Sequence, residues 1–214
     1  MMSSVSSTLL KIAAYKELLV KTLGHVDWDI ASGQVTVKDS LFQDDIKRFL
    51  IESSEGNLHN VNIIIKNDAI LVISEGKTNG ISYVAKHAFS KIHLECSSAK
   101  QSIKLTFAEK VEGKGLLDRI AISAAQTLIQ KTFLEKLLSD KPGIYFRDNQ
   151  MLVRFAEQPI LSSLFEKELL GLKLPALFSL TLDQIVKGQL IFKIIFSEEL
   201  LTFIDRFLPE LKLK

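Results

Sequence analysis

Much of the chain shows a two-residue alternation of apolar and polar side chains, the pattern that is typical of β-strands. In three places two such segments flank a short polar turn: Asn67-Asp68, Asp148-Asn149 and Lys187-Gly188. The pattern predicts an antiparallel hairpin at each turn, the last one formed by residues 178–186 and 189–196. It also predicts strands at residues 26–30, 34–38, 80–87, 90–97 and 101–111.

Other segments follow the 3.6-residue period of an amphipathic helix. Residues 7–23 are one of them, and Gly24 is a natural end for it. A short helix is expected from Ser40, because Ser40-Leu41-Phe42-Gln43 has the form of a capping box. Two further helices are expected, one from Pro159 to about Leu170 and one that begins after Ser197.

Residues 116–138 predict the longest element of the chain. Apolar side chains cover most of the helical circumference, apart from a narrow polar stripe that includes Arg119 and Gln130. A single helix of this length would be roughly 35 Å long. A helix that is apolar on so many sides must pack into other structure.

These elements predict a single α+β domain over residues 1–214, a strongly bent antiparallel sheet wrapping a long central helix, with short flanking helices. The composition restricts the class of protein: 47% of the residues are hydrophobic and 24% are charged, and the net charge is +2. The apolar content excludes a disordered chain, and the balanced charge gives no basic footprint for nucleic acid.

The single cysteine, Cys96, excludes a disulfide scaffold and is expected to be a small core residue. The apolar residues do not run together for the roughly 20 positions that a membrane-spanning helix needs. The N-terminus lacks the charged region and the uninterrupted apolar run of a signal peptide. These features favour a cytoplasmic protein.

One segment could hold a metal ion. In a strand, His25, Asp27 and Asp29 would share one face, and imidazole and carboxylates are ligands for zinc or iron. The alternative is a polar, solvent-facing strand edge opposite Val26, Trp28 and Ile30. No spacing typical of histidine metal sites supports the metal, so none is predicted.

No segment predicts an enzyme. Gly113-Lys114-Gly115 begins like a dinucleotide-binding loop, but Asp118 stands at the position of the third glycine. The acidic pairs Asp44-Asp45 and Glu198-Glu199 are adjacent on helices, so their side chains diverge and cannot share a proton. The sequence therefore predicts neither catalysis nor a cofactor.

The order of elements resembles a known family. FQDDIKRFL, LHNVNIIIKNDAILVIS, long strands, the segment GLLDRIAISAAQTLIQKTFLEKL and GIYFRDNQMLVRF follow one another over roughly residues 35–156. This order resembles the tubular lipid-binding (TULIP) superfamily, most nearly its LmeA-like phospholipid-binding domains. The resemblance implies a bent sheet around a long helix, with acyl chains held between them. It leaves the N-terminal helix (1–24) and the C-terminal hairpin and helix (178–214) unaccounted for.

Two functional hypotheses follow. The first is non-enzymatic binding of a lipid or other elongated apolar ligand between a curved sheet and the helix 116–138, driven by burial of apolar surface. The expected lining residues are Phe107, Leu117, Ile120, Ala124, Leu128, Ile144, Phe146, Leu152 and Phe155. The second is a scaffold with a fully packed core, assembling through its terminal helix or a sheet edge. A membrane surface or a protein is the expected further partner.

Overall fold

The structure is a computed structural model, and it describes residues 25–29, 32–54, 56–78, 80–128, 132–169 and 171–207. Most of these residues belong to antiparallel strands. The strands are β1 (Val26–Asp29), β2 (Gln34–Lys38), β3 (Leu58–Lys66), β4 (Ala69–Thr78), β5 (Ile81–Cys96), β6 (Gln101–Gly113), β7 (Ile144–Arg147), β8 (Gln150–Arg154), β9 (Glu168–Leu169), β10 (Leu172–Lys173), β11 (Phe178–Val186) and β12 (Gln189–Phe196). The predicted helix 7–23 lies outside the described residues.

The helices are short and lie between the strands. They are α1 (Asp39–Leu41), α2 (Lys47–Ser53), α3 (Leu116–Leu128), α4 (Phe133–Leu138), α5 (Pro159–Phe165), α6 (Leu174–Leu177) and α7 (Glu198–Phe207). A π-helical turn, Phe42–Ile46, joins α1 to α2, and a 3-10 turn, Phe155–Glu157, follows β8.

The main sheet has the strand order β1-β2-β12-β11-β5-β6-β8-β7, and the β3–β4 hairpin joins it through β4, which also pairs with β5. The three hairpins expected at Asn67-Asp68, Asp148-Asn149 and Lys187-Gly188 are confirmed by the registers of their strands. In the first two turns an aspartate takes the left-handed conformation, with φ of 58° at Asp68 and 52° at Asp148.

β5 changes its pairing partner along its length. Its first part pairs with β4 up to Ser90, and its end pairs with β11 at Glu95 and Cys96. Between these two regions the register with β6 shifts, and Lys91 has a φ of 49°. A bulge of this kind bends a strand and increases its twist. The sequence places a break here, between the expected strands 80–87 and 90–97, whereas the structure has one bulged strand.

The core lies on one face of the sheet, where alternate residues of adjacent strands point inward. Tyr83, Ala85 and Val111 form one buried cluster, and Leu105, Phe107 and Met151 form the next. A third cluster, Ile65, Ile185 and Leu190, joins the tips of the β3–β4 and β11–β12 hairpins. These tips are also held together by hydrogen bonds from the backbone N–H of Asp68 to Ile185 O and of Gly188 to Ile65 O.

The predicted fold with a long central helix is wrong. Thr132 has an extended backbone, and it caps a separate helix: its side-chain oxygen accepts a hydrogen bond from the backbone N–H of Glu135 at 3.1 Å. The segment 116–138 therefore contains two helices, α3 and α4, and the sheet wraps neither of them as a central rod. The described structure is mostly antiparallel sheet with short helices lying against it.

Two local predictions also need correction. The helix expected from Ser40 begins at Asp39, so Ser40 is not its N-cap, and the N-cap Lys38 makes no side-chain cap. Gln43 donates to Asn62 Oδ1 and Ile63 O of β3. The helix after Pro159 ends at Phe165 rather than near Leu170. The expected cap of the last helix is confirmed, since Ser197 Oγ accepts a hydrogen bond from Leu200 N at 3.2 Å.

Candidate functional site

A buried polar pair lies on the otherwise apolar inner face of β5 and β6. His87 and Glu109 are directly opposite each other across the two strands, and His87 Nε2 lies 3.0 Å from Glu109 Oε2. Their side chains are only 6% and 10% exposed. Their neighbours on this face are apolar, with Ala85 opposite Val111 and Phe89 opposite Phe107. A pair of this kind needs full hydrogen bonding to offset its desolvation.

The Glu109 carboxylate obtains its further hydrogen bonds from a helix start. The backbone N–H groups of Phe133 and Leu134 donate to Oε1 and Oε2 at 2.6 and 2.7 Å. Burial raises the pKa of Glu109, but the hydrogen bonds from His87, Phe133 and Leu134 outweigh it, and the pKa lies below its ordinary value. The carboxylate is therefore ionised at neutral pH and only accepts, so His87 Nε2 carries the proton that it donates.

Gly113 determines where α3 begins. A Cβ atom at Gly113 would lie 2.3 Å from the backbone N of Arg119, so only glycine allows the first turn of α3 to approach β6 this closely. Arg119 Nε donates to Gly113 O at 3.3 Å, and Asp118 Oδ2 accepts from Gly115 N at 3.0 Å. The Gly113-Lys114-Gly115 segment thus positions a helix on the end of a strand.

Part of the solvent-facing surface of α3, at its first turns, is apolar. Ile122 packs against the cluster of Tyr83, Ala85 and Val111. Leu116, Leu117 and Ile120 instead point to solvent, with 76%, 80% and 59% of their surface exposed. We call these three residues the α3 apolar face. Grouped exposed apolar side chains of this size, close to charged residues, mark contact surfaces more often than scattered single ones do.

Two cationic residues, Lys114 and Arg119, lie next to the α3 apolar face in the sequence. Lys114 precedes it and forms an ion pair with Glu75, and Arg119 lies within it in sequence and is exposed. The region thus combines exposed apolar side chains with partly neutralised basic ones.

The structure brings together some of the predicted lining residues and leaves others apart. Phe107, Ile144 and Phe146 come together in the core, where the rings of Phe107 and Phe146 meet edge to face at 5.9 Å. Phe155 lies beside Phe165 and Leu152 is half-buried in β8. Leu117 and Ile120 face solvent instead. The side chains of Ala124 and Leu128 lie outside those that the structure describes.

The candidate metal ligands have other partners. His25 Nδ1 lies 2.7 Å from Ser40 Oγ, Asp27 forms an ion pair with Lys38 at 2.9 Å, and Asp29 Oδ1 accepts from Ser32 N. In the part of the chain that the structure describes, no group of three or more His, Cys, Asp or Glu residues could hold a metal ion. Cys96 is buried as expected, and burial raises the pKa of its thiol.

Sequence reasoning missed the role of Glu109 and the break at Thr132. The break has a local signal, because Thr132 and Glu135 have the spacing of a capping box. Glu109 has none, since its partners at Phe133 and Leu134 are more than twenty residues away along the chain.

Comparison with known proteins gives no relative: no family model matches the chain, and no curated protein or solved structure does. The resemblance to the tubular lipid-binding superfamily therefore stays a prediction, and its wrapped long helix is wrong for this chain. No helix among the described residues is long and apolar enough to cross a membrane.

Proposed function

We propose that this protein is a non-enzymatic lipid-binding protein that attaches to an anionic membrane surface through the α3 apolar face. The observation that supports the proposal is the exposure of Leu116, Leu117 and Ile120 on consecutive turns of one anchored helix. An interfacial helix places such side chains among the acyl chains and keeps its basic residues at the headgroups. Lys114 and Arg119, exposed and adjacent in sequence to these three residues, are the basic residues available to the headgroups.

The expected affinity is modest. Burying a leucine or isoleucine side chain contributes roughly 1.5–3 kcal/mol, and these three are already partly covered, so roughly 3–6 kcal/mol is the expected apolar contribution. Each nearby Lys or Arg adds about 1 kcal/mol at an anionic surface. These amounts predict reversible attachment that weakens as salt is raised.

A lipid surface fits this patch better than a second copy of the chain. A stable protein interface buries about 1,200–2,000 Å² in total and needs 20–30 residues on each side. Three side chains on one helix provide far less than that. Insertion into a bilayer needs no complementary surface, because the acyl chains adapt to the side chains.

The single thiol, Cys96, is buried and unpaired, which suits a reducing compartment. We therefore place the binding at the cytoplasmic face of a membrane. Anionic lipids give that leaflet a negative surface potential.

Vesicle co-sedimentation tests the proposal. We compare binding to two kinds of vesicle at low and high salt. One is phosphatidylcholine alone, and the other contains about 30% phosphatidylserine, which gives the vesicle an anionic surface. Ile120→Asn removes a residue of the α3 apolar face. Ile195→Asn is its matched control, because Ile195 lies on β12 and its exposed fraction, 60%, equals that of Ile120 within a percentage point.

The expected result is binding of the wild-type chain to the anionic vesicles, with a dissociation constant several-fold weaker for Ile120→Asn and unchanged for Ile195→Asn. The proposal is wrong if the wild-type chain stays in the supernatant, or if both variants lose binding equally. A dimer in light scattering that Ile120→Asn converts to a monomer would contradict it and favour the scaffold hypothesis.

A further inference from the structure

A cleft of about 650 Å³ opens in the main sheet where β4 and β11 part from β5. The ladder between β4 and β5 ends at the pair Ala69–Ser90, and the ladder between β11 and β5 ends at Thr181–Glu95. Between these pairs, residues 91–94 of β5 have no strand partner on this side. The far end of the gap is closed by the hydrogen bond from Asp68 N to Ile185 O at 3.0 Å.

Both long edges of the cleft are bulged. The register of β5 with β6 shifts between Ser90 and His93, and the register of β11 with β12 shifts between Leu182 and Gln184. Lys91, on the first bulge, has a φ of 49°, a conformation that glycine adopts at much lower cost. The chain thus has a lysine on the cleft at a position where the backbone favours glycine.

The lining of the cleft has an apolar and a charged part. Ile92 and Leu182 line it and pack against the buried cluster that contains Ile185. Lys91, Asp68 and Asp183 are its charged residues, and all three are exposed. Within the described residues Lys91 forms no ion pair, so its ammonium group is available to a ligand.

The mixture of apolar side chains and charges of both signs in the cleft favours one class of ligand. A purely anionic molecule would meet two carboxylates, and a purely cationic one would meet the Lys91 ammonium group. A molecule with one charge of each sign and an apolar middle pairs with both and covers Ile92 and Leu182. The unpaired edge of β5 spans four residues, 91–94, or roughly 13 Å, which accommodates an extended peptide of about three residues.

We propose that this cleft binds a short extended peptide with free charged ends and an apolar side chain between them. The peptide carboxylate pairs with Lys91, its amino group pairs with Asp183, and its apolar side chain contacts Ile92 and Leu182. Its backbone adds to the unpaired edge of β5. This site is separate from the α3 apolar face and does not depend on lipid binding.

The test is a titration of the ¹⁵N-labelled full chain followed by NMR. The probes are Ala-Leu-Ala with free ends, the same peptide acetylated and amidated, and Ala-Ser-Ala with free ends. Lys91→Gly removes the ammonium group and gives the backbone its favoured residue, so this variant is expected to melt no lower than the wild type. Lys91→Arg keeps the charge. Asp183→Asn is matched by Asp148→Asn, which changes an aspartate on the distant β7–β8 turn.

Free Ala-Leu-Ala is expected to shift the amide signals of residues 91–94 and 182–184, and the other two peptides are expected to bind at least five-fold more weakly. Lys91→Gly and Asp183→Asn are expected to weaken binding at least five-fold, while Lys91→Arg and Asp148→Asn stay within two-fold of the wild type. The proposal is overturned if these amides do not shift at millimolar peptide, if the capped peptide binds equally well, or if Lys91→Gly binds like the wild type.

Discussion

His87 Nε2 lies 3.0 Å from Glu109 Oε2, and the same carboxylate accepts hydrogen bonds from the first two backbone N–H groups of α4. One ionised side chain thus joins β5, β6 and α4. Phe133, the first residue of α4, also stacks edge to face on Tyr83 with ring centroids 4.9 Å apart. The position of α4 on the sheet depends on this polar pair within an apolar face.

The first prediction concerns Glu109→Ala. The substitution leaves His87 Nε2 and two helix N–H groups without their acceptor in a buried place, and breaking a buried charged pair from one side costs about 3–5 kcal/mol. We expect the free energy of unfolding in urea to fall by about that amount.

Glu112→Ala is the control for this substitution. Glu112 is on the same strand but exposed, and it forms an ion pair with the exposed Lys110. We expect a loss below about 1 kcal/mol. Equal losses in the two variants would show that the Glu109 contacts do not stabilise α4.

The second prediction concerns pH. Because the folded-state pKa of Glu109 is lower than its unfolded-state value, its contribution to stability is complete above the unfolded value of roughly 4.3. The contribution is lost as the pH falls through the lower, folded value. In urea unfolding between pH 6 and pH 3, wild type should lose more stability than Glu109→Gln, which has no proton to gain at this position. Parallel curves would contradict the assignment.

The third prediction concerns the glycine under α3. A Cβ at Gly113 would meet the backbone of Asp118 and Arg119 at 2.3 Å, so Gly113→Ala must displace the helix. Overpacking of this kind typically costs about 1–3 kcal/mol. At Gly115 a Cβ would meet only the end of the Asp118 side chain, at 3.1 Å, which can move. We expect Gly115→Ala to melt within a few degrees of the wild type and well above Gly113→Ala; the reverse order would be evidence against this packing.

The fourth prediction distinguishes two helices from one. If residues 116–138 formed one helix, Thr132→Ala would stabilise it, because alanine has the higher helix propensity. With Thr132 as the N-cap of α4, the same substitution should destabilise the protein by about 1 kcal/mol. Thr127→Ala, inside α3, provides the comparison and should be neutral or stabilising. Chemical denaturation of both variants measures the sign of each change in the free energy of unfolding.

The hairpins could be predicted from the sequence because their signals are local. A polar turn such as Lys187-Gly188 between two alternating segments determines both the pairing and the register of β11 and β12. The cap at Ser197 is equally local. The partners of His25 and Asp27 could not be predicted from their spacing, since Ser40 and Lys38 come from other elements.

The break in the predicted long helix could not be found from apolar periodicity. The periodic pattern of residues 116–138 continues through Thr132, and it predicts a helix without showing where the helix turns away. What fixes the second helix is Glu109, a residue of another strand. Leu117 and Ile120 were predicted to line a cavity because they are apolar positions of a helix. An apolar position alone does not indicate which side of the helix the sheet covers.

If the α3 apolar face enters the lipid, a fluorophore attached to it must move from water into an apolar environment. The only cysteine is buried and its pKa is raised, so a cysteine introduced at Leu117 can be labelled selectively with an environment-sensitive NBD fluorophore. Ile195→Cys, on β12, carries the same label as the control. We expect a blue shift and brighter emission on anionic vesicles for the label at position 117 and no change for the label at 195. An unchanged spectrum at position 117, or an equal shift at both positions, would contradict it.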